Sequence, residues 1–148
     1  MIGFRGAVAL IVATASTALF IPGCTAAPGT PSPNAPYSQT DLVLGNGATA
    51  PATGTVTVDY TAWFYDASKA DLKGLQFDTS AGAGPFTFTL GTGSVIKGWD
   101  QGVPGMREGG QRRLVIPPSL AYGSTRSGVV PPNTTLVFDI SLITVSAQ

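Results

Sequence analysis

Conventional catalytic side chains are scarce in this sequence, and that scarcity narrows the chemistry open to it. None of the 148 residues is histidine, which removes histidine general bases, Ser-His-Asp triads and histidine metal ligands together. Cys24 is the sole cysteine, so no disulfide can form within the chain. Asp78 and Asp100 invite a paired-carboxylate hydrolase reading, but nothing around them supports it. Eight basic residues balance eight acidic ones without any basic cluster, which leaves no electrostatic footprint for nucleic acid. What remains is a set of aromatic side chains, Trp99 among them, and the elements that carry those side chains decide what they can do.

Those elements read first as strands. Val56, Val58, Tyr60, Ala62 and Phe64 alternate with Thr57, Asp59 and Thr61, the period of two expected of a strand with one buried face. Phe86, Phe88 and Leu90 alternate with threonines in the same way, Leu114 and Ile116 follow Arg112 in phase, and Leu136, Phe138, Ile140 and Leu142 form the last run. One stretch is helical in pattern. Val95, Ile96, Trp99 and Val103 fall on one helical face, with Ser94 where an N-cap belongs and Pro104-Gly105 as the stop. Gly98 and Gly102 weaken that helix by up to about 1 kcal/mol each relative to alanine, so it must form by docking. The expected architecture is α+β, a twisted antiparallel β-sheet wrapped around one short α-helix.

On periodicity alone, Phe88, Phe138 and Trp99 are core residues. Arg112 and Arg113 read as strand residues with a solvated or salt-bridged face, and Trp63 as structural or partner-facing.

Upstream, residues 1–23 read as a signal peptide, with Arg5 ahead of an apolar run from Gly6 to Ile21 that is interrupted by Thr14, Ser16 and Thr17. Ile21-Pro22-Gly23-Cys24 resembles the lipobox of bacterial lipoproteins, in which cleavage precedes a cysteine that then carries lipid. Residues 24–45 are expected to be the lipidated Cys24 and a disordered tether, rich in proline at Pro28, Pro31, Pro33 and Pro36. As polyproline II, residues 25–40 would reach up to about 50 Å. Residues 46–148 are then one domain, since ~100 residues suffice for a single core.

The run from Leu90 through Val95-Ile96-Lys97-Gly98-Trp99-Asp100 to Met106 resembles the central signature of FKBP-type peptidyl-prolyl cis/trans isomerases. Four further segments fit the same family in order: Val58-Asp59-Tyr60-Thr61, Gln76-Phe77-Asp78-Thr79-Ser80, Gly110 through Tyr122-Gly123, and Pro131 through Ile140. The resemblance implies a shallow aromatic pocket for the proline ring of an X-Pro bond, with Trp99 as its floor. It implies Tyr60, Phe77, Phe88 and Phe138 as walls with Phe86 nearby, Val95 and Ile96 at the edge, and the Ile96 backbone N–H as a donor to a substrate carbonyl. Asp78 and Tyr122 would give polar contacts at the rim, and Val130 an apolar contact from a loop. It further implies that no cofactor or metal is needed, that proline-containing polypeptides are the substrates and macrolide immunosuppressants the inhibitors, and that the domain is a monomer. With the export signal, this gives an isomerase that assists folding outside a bacterial membrane. The alternative is an envelope chaperone or proline-motif binding module with little turnover. The sequence departs from the family over Trp63–Leu75, which is longer, over residues 123–130, which are shorter and lack a histidine, and at Ala62, where glycine is common.

Overall fold

The computed structural model describes residues 35–146. The expected signal peptide, Cys24 and the first half of the tether segment lie outside the described residues. The longest alternating run becomes β2 (Gly54–Tyr65), with Val56, Val58 and Ala62 fully buried and Asp59 exposed. Along its whole length it pairs antiparallel with β6 (Leu136–Ser146), from Thr55 opposite Ser146 to Phe64 opposite Leu136. The other edge of β2 is shared. Its first half pairs with β4 (Phe86–Leu90) and its second half with β3 (Lys73–Thr79). On the far side of β6 lies β5 (Gln111–Ile116), and β1 (Ser38–Val43) closes that edge. The order is β1-β5-β6-β2-β3, antiparallel throughout, with β4 beside β2.

Against one face of this sheet lies α1 (Lys97–Gly102). Its two glycines permit the close approach. A Cβ on Gly98 would sit 2.5 Å from Ile116 Cγ2, and one on Gly102 would sit 2.6 Å from Leu114 Cδ2. The residues read as a helix-propensity penalty are therefore where α1 touches β5. The core lies between them, built on Val56, Val58, Leu90, Leu114, Ile116, Leu136, Ile140 and Leu142, each at most 1% exposed.

Three expectations need correction. First, the helix does not open at Ser94. Ser94 Oγ donates to Thr89 O at 3.0 Å and accepts from Thr92 Oγ1 at 3.1 Å, so it braces the turn instead. Ile96 is the N-cap, extended at φ −60 and ψ 148, without a side-chain cap hydrogen bond. Second, the folded chain begins before residue 46. Ala35 is buried against Val115 and Val137, and Ser38–Val43 is a strand inside the span expected to be tether. Third, Trp63–Leu75 is not one continuous loop, since six of its thirteen residues are strand. β2 continues to Tyr65 and β3 resumes at Lys73, so the added residues lengthen a hairpin closed by Asp66–Leu72. Asp66 Oδ1 accepts from the Ser68 N–H and hydroxyl there, a local turn bond of the kind aspartate makes readily.

The arginines divide by face. Arg112 points inward in phase with Leu114 and Ile116 and is buried. Its guanidinium pairs with Asp41 of β1 and donates to Gly102 O at 2.8 Å and Pro104 O at 3.3 Å. It therefore ties the first strand to the C-terminal end of α1, where carbonyls lack helical partners. Arg113 faces the other way and grips Asp139 through Nε at 2.7 Å and Nη2 at 3.0 Å. Lys73 Nζ reaches the same carboxylate at 2.6 Å and lies 4.0 Å from the Trp63 ring centroid. Burial alone would raise the Asp139 pKa, but the two cations outweigh it and hold the carboxyl below its ordinary value.

Candidate active site

Trp99 is the side chain around which the other aromatics gather. It sits on the first turn of α1, is 5% exposed, and faces the sheet because the Ile116 contact at Gly98 fixes the helix roll. Tyr60 from β2 meets it edge-on at 5.2 Å and Phe138 from β6 at 5.4 Å, with Phe88 tilted at 5.4 Å and Phe86 edge-on at 6.2 Å. Edge-to-face contact is the arrangement that ring quadrupoles favour. Trp99 Nε1 is buried with no hydrogen-bond partner among the described residues. An unsatisfied buried donor costs about 1–3 kcal/mol, and one left at the floor of a cavity is a feature of a binding site rather than of a settled core.

Above Trp99 opens a cavity of about 730 Å³. Of the expected site residues, Tyr60, Asp78, Phe86, Val95, Ile96, Trp99, Tyr122 and Phe138 line it. Phe77, Phe88 and Val130 do not. Phe77 stacks on Phe64 at 4.6 Å and edges Phe138 at 6.4 Å, while Phe88 and Val130 are 6% and 4% exposed within the core. These three support the walls from behind.

The polar rim is held by β2 and β3. Tyr60 Oη donates to Asp78 Oδ2 at 2.9 Å, and Asp78 Oδ1 accepts the Thr79 N–H at 2.9 Å. Buried Ser80 locks this geometry. Its N–H donates to Tyr60 O at 2.9 Å, its Oγ accepts the Tyr60 N–H at 3.0 Å, and its hydroxyl donates to Asp59 Oδ1 at 2.8 Å. Burial first, then the bond to Asp78 and its negative charge, push the Tyr60 phenol up to about 12, so it remains a neutral donor.

Sequence reasoning placed Ser80 within a motif without giving it this bracing role, and it missed the wall formed by Pro118, Ser119 and Ala121. The Pro117-Pro118 pair was the available signal. Pro118 starts a short 3-10 turn over Pro118–Leu120, and the Gly123 N–H returns to Pro118 O at 2.7 Å. Tyr122, inside the turn closed by that bond, lines the cavity. On the opposite edge, Ile96 precedes the helix, and among the described residues its N–H has no backbone partner.

Around its aromatic floor the site carries two charged groups, Asp78 and Lys97, and the hydroxyls of Tyr60, Ser94, Ser119 and Tyr122. It suits a compact apolar ring against Trp99, with a carbonyl near the Ile96 N–H.

The family model for "FKBP-type peptidyl-prolyl cis-trans isomerase" matches residues 47–143. The chain belongs to this family. Among FKBP-type relatives it is 44% identical over 107 residues to the FK506-binding protein of Neisseria meningitidis serogroup A, covering 71% of this chain and 92% of that one. It is 48% identical over 108 residues to the peptidyl-prolyl cis-trans isomerase FKBP53 of Arabidopsis thaliana, covering 71% of this chain but only 21% of that larger protein. Among solved structures, a peptidyl-prolyl cis-trans isomerase from Pseudomonas syringae pv. tomato superposes with a TM-score of 0.62 at 38% identity, covering 75% of this chain and 76% of that one. FkpA from Escherichia coli gives 0.62 at 36% identity, covering 74% and 47%. The antiparallel sheet with one short helix is thus the FKBP fold, and the enzyme class is that of a peptidyl-prolyl isomerase.

Proposed function

We propose that this FKBP domain catalyses rotation about X-Pro bonds in exported polypeptides, with the proline ring seated on Trp99 and the preceding carbonyl near the Ile96 N–H. The observation that carries the reading is the buried, unsatisfied indole of Trp99 inside a ring of four aromatic side chains at the base of the main cavity. The chemistry needs nothing more reactive. Amide rotation faces a barrier of ~18–20 kcal/mol because resonance gives the C–N bond double-bond character. The twisted transition state loses that resonance, so its carbonyl is less polar than in the planar ground state. A dry aromatic cavity therefore favours the twisted form over the planar one, which is differential binding of the transition state. Both isomers are available, since trans is favoured before proline by only ~0.5–1 kcal/mol.

A protease-coupled assay on proline tetrapeptides tests this. Acceleration of the slow cis-to-trans phase is expected, and an unchanged slow phase would leave only a binding module. The relatives named FK506-binding proteins support a further expectation, that a macrolide of that class occupies the same cavity and blocks the acceleration.

We further propose that Cys24 carries lipid and that the domain acts as a monomer on the outer side of a bacterial membrane. The support is sequence alone: Ile21-Pro22-Gly23-Cys24 after an apolar segment and ahead of a proline-rich stretch. Cys24→Ala should move the protein from the membrane fraction to the soluble fraction, and retention in the membrane would show an uncleaved anchor instead.

A further inference from the structure

A second hollow of about 230 Å³ is walled by Phe64 and Tyr65 of β2, Asp66 just after it, Gly74 and Leu75 of β3, and Pro131 and Thr134 ahead of β6. Leu75 is 74% exposed. Among the described residues only Leu44 is a more exposed large apolar side chain. With Phe64 and Pro131, Leu75 forms an apolar surface around the hollow, and gathered apolar surface marks a binding site more often than an isolated side chain does. The volume exceeds the ~150 Å³ that holds a benzene ring, so one leucine or phenylalanine side chain fits.

Its occupant follows from its connection to the site. Phe138 lines the proline cavity, Phe77 edges Phe138 at 6.4 Å, and Phe64 stacks on Phe77 at 4.6 Å. One aromatic layer is thus shared, with the proline on one side and the hollow on the other. The two ring contacts together set the separation of Phe138 and Phe64 at about 11 Å or less, which an extended chain at ~3.3 Å per residue covers in about three residues. β3 shows the same interval, with Asp78 at the rim of one cavity and Leu75 at the other.

We propose that this hollow receives an apolar side chain of the same polypeptide whose proline sits over Trp99, about three residues along an extended chain. The proposal rests on the isomerase reading above. The lengthened β2–β3 hairpin then selects unfolded clients by an apolar residue at a set distance from proline, beyond the residue that precedes it.

The test uses ten-residue peptides with one proline and either leucine or serine at the third position on each side. Catalysed isomerisation is followed by exchange NMR and affinity by tryptophan fluorescence, alongside a proline tetrapeptide too short to reach the hollow. In one register the leucine peptide should show a kcat/KM about tenfold above its serine counterpart, the low end of what a filled apolar pocket confers. Leu75→Lys, and independently Leu75→Ser, should shrink that preference to about twofold or less while leaving the tetrapeptide rate unchanged. Equal handling of leucine and serine peptides by the unaltered protein, or a preference that survives Leu75→Lys, would overturn the proposal. If the tetrapeptide itself were not accelerated, the isomerase reading would fall, and the affinity difference between leucine and serine peptides would still decide the hollow's role.

Discussion

Replacing Gly98 by alanine sets two physical effects against each other, and the structure says which wins. In a helix interior the change should stabilise by about 1 kcal/mol through propensity alone. Here the added Cβ would lie 2.5 Å from Ile116 Cγ2 and 2.6 Å from Cδ1, whereas carbon atoms rest at ~3.5–4.0 Å. Ile116 cannot retreat, being fully buried at the end of β5 with β6 beside it. The helix must lift by roughly 1 Å, and contacts that short put the cost in the upper part of the ~1–3 kcal/mol range for overpacking, at about 2–3 kcal/mol. With propensity set against it, the net loss should be about 1–2 kcal/mol, or a fall in Tm of about 4–10 °C for a domain of this size. Trp99 moves with the helix, and a 1 Å misplacement can cost up to ~100-fold in rate, so kcat/KM should drop at least about tenfold. Thermal unfolding by circular dichroism and the peptide assay read the two effects. Combining Gly98→Ala with Ile116→Ala should cost less than the two single changes added together, with a coupling of about 1–2 kcal/mol. A Gly98→Ala protein as stable as the parent, or more so, would refute the packing argument and leave helix propensity in charge.

Two titration experiments follow from the charged and phenolic groups. Because the Tyr60 phenol is pushed up to about 12, it should contribute no inflection to kcat/KM between about pH 6 and pH 10, the ordinary tyrosine value. Tyr60→Phe removes its 2.9 Å bond to Asp78 and should lower kcat/KM by roughly fivefold, the worth of about 1 kcal/mol; an inflection near pH 10 that Tyr60→Phe abolishes would contradict the assignment. Asp139 tests stability instead. Its carboxyl is held below the ordinary value when folded, so its contribution is present in full above about pH 4 and is lost as the pH falls through the folded value. Asp139→Asn should therefore lower Tm at neutral pH, with a cost of about 1.5–3 kcal/mol, and the gap to the parent should narrow on acidification toward pH 2. A gap that stays constant with pH would show that the Arg113 and Lys73 contacts contribute nothing through charge.

Strands β2, β4 and β6 were legible because their inward positions are apolar and their outward ones largely polar. β1 was not. All six of its residues are exposed, so no hydrophobic alternation marks it, and it is held by backbone pairing to β5 and by the Asp41–Arg112 pair. Arg112 sat in the correct inward phase, but burial of an arginine depends on partners distant in sequence, Asp41 and the α1 carbonyls. The start of α1 was misplaced for a local reason, since Ser94 has a carbonyl at Thr89 within reach and caps nothing. Within the site, Trp99, Tyr60, Asp78 and Phe138 came from the motif and line the cavity. Phe77, Phe88 and Val130 came from the same resemblance but sit behind the lining, and which side chains of an aromatic layer meet the cavity is set by how the strands and the loop before β6 pack, which spacing does not encode. Ser80 was invisible as a brace because its partners, Asp59 and Tyr60, belong to another strand.

The central claim is that the cavity over Trp99 turns an X-Pro bond without covalent chemistry. Exchange NMR on a proline peptide at equilibrium, with a catalytic amount of the protein, tests it most directly. Spontaneous interconversion takes tens to hundreds of seconds. Catalysis by this cavity predicts exchange cross-peaks between cis and trans proline signals on a far shorter timescale, an unchanged cis fraction, and binding shifts at the Trp99 indole and Ile96 amide. Exchange no faster than the spontaneous rate, with those two signals shifted by the peptide, would show that the cavity binds proline without turning it.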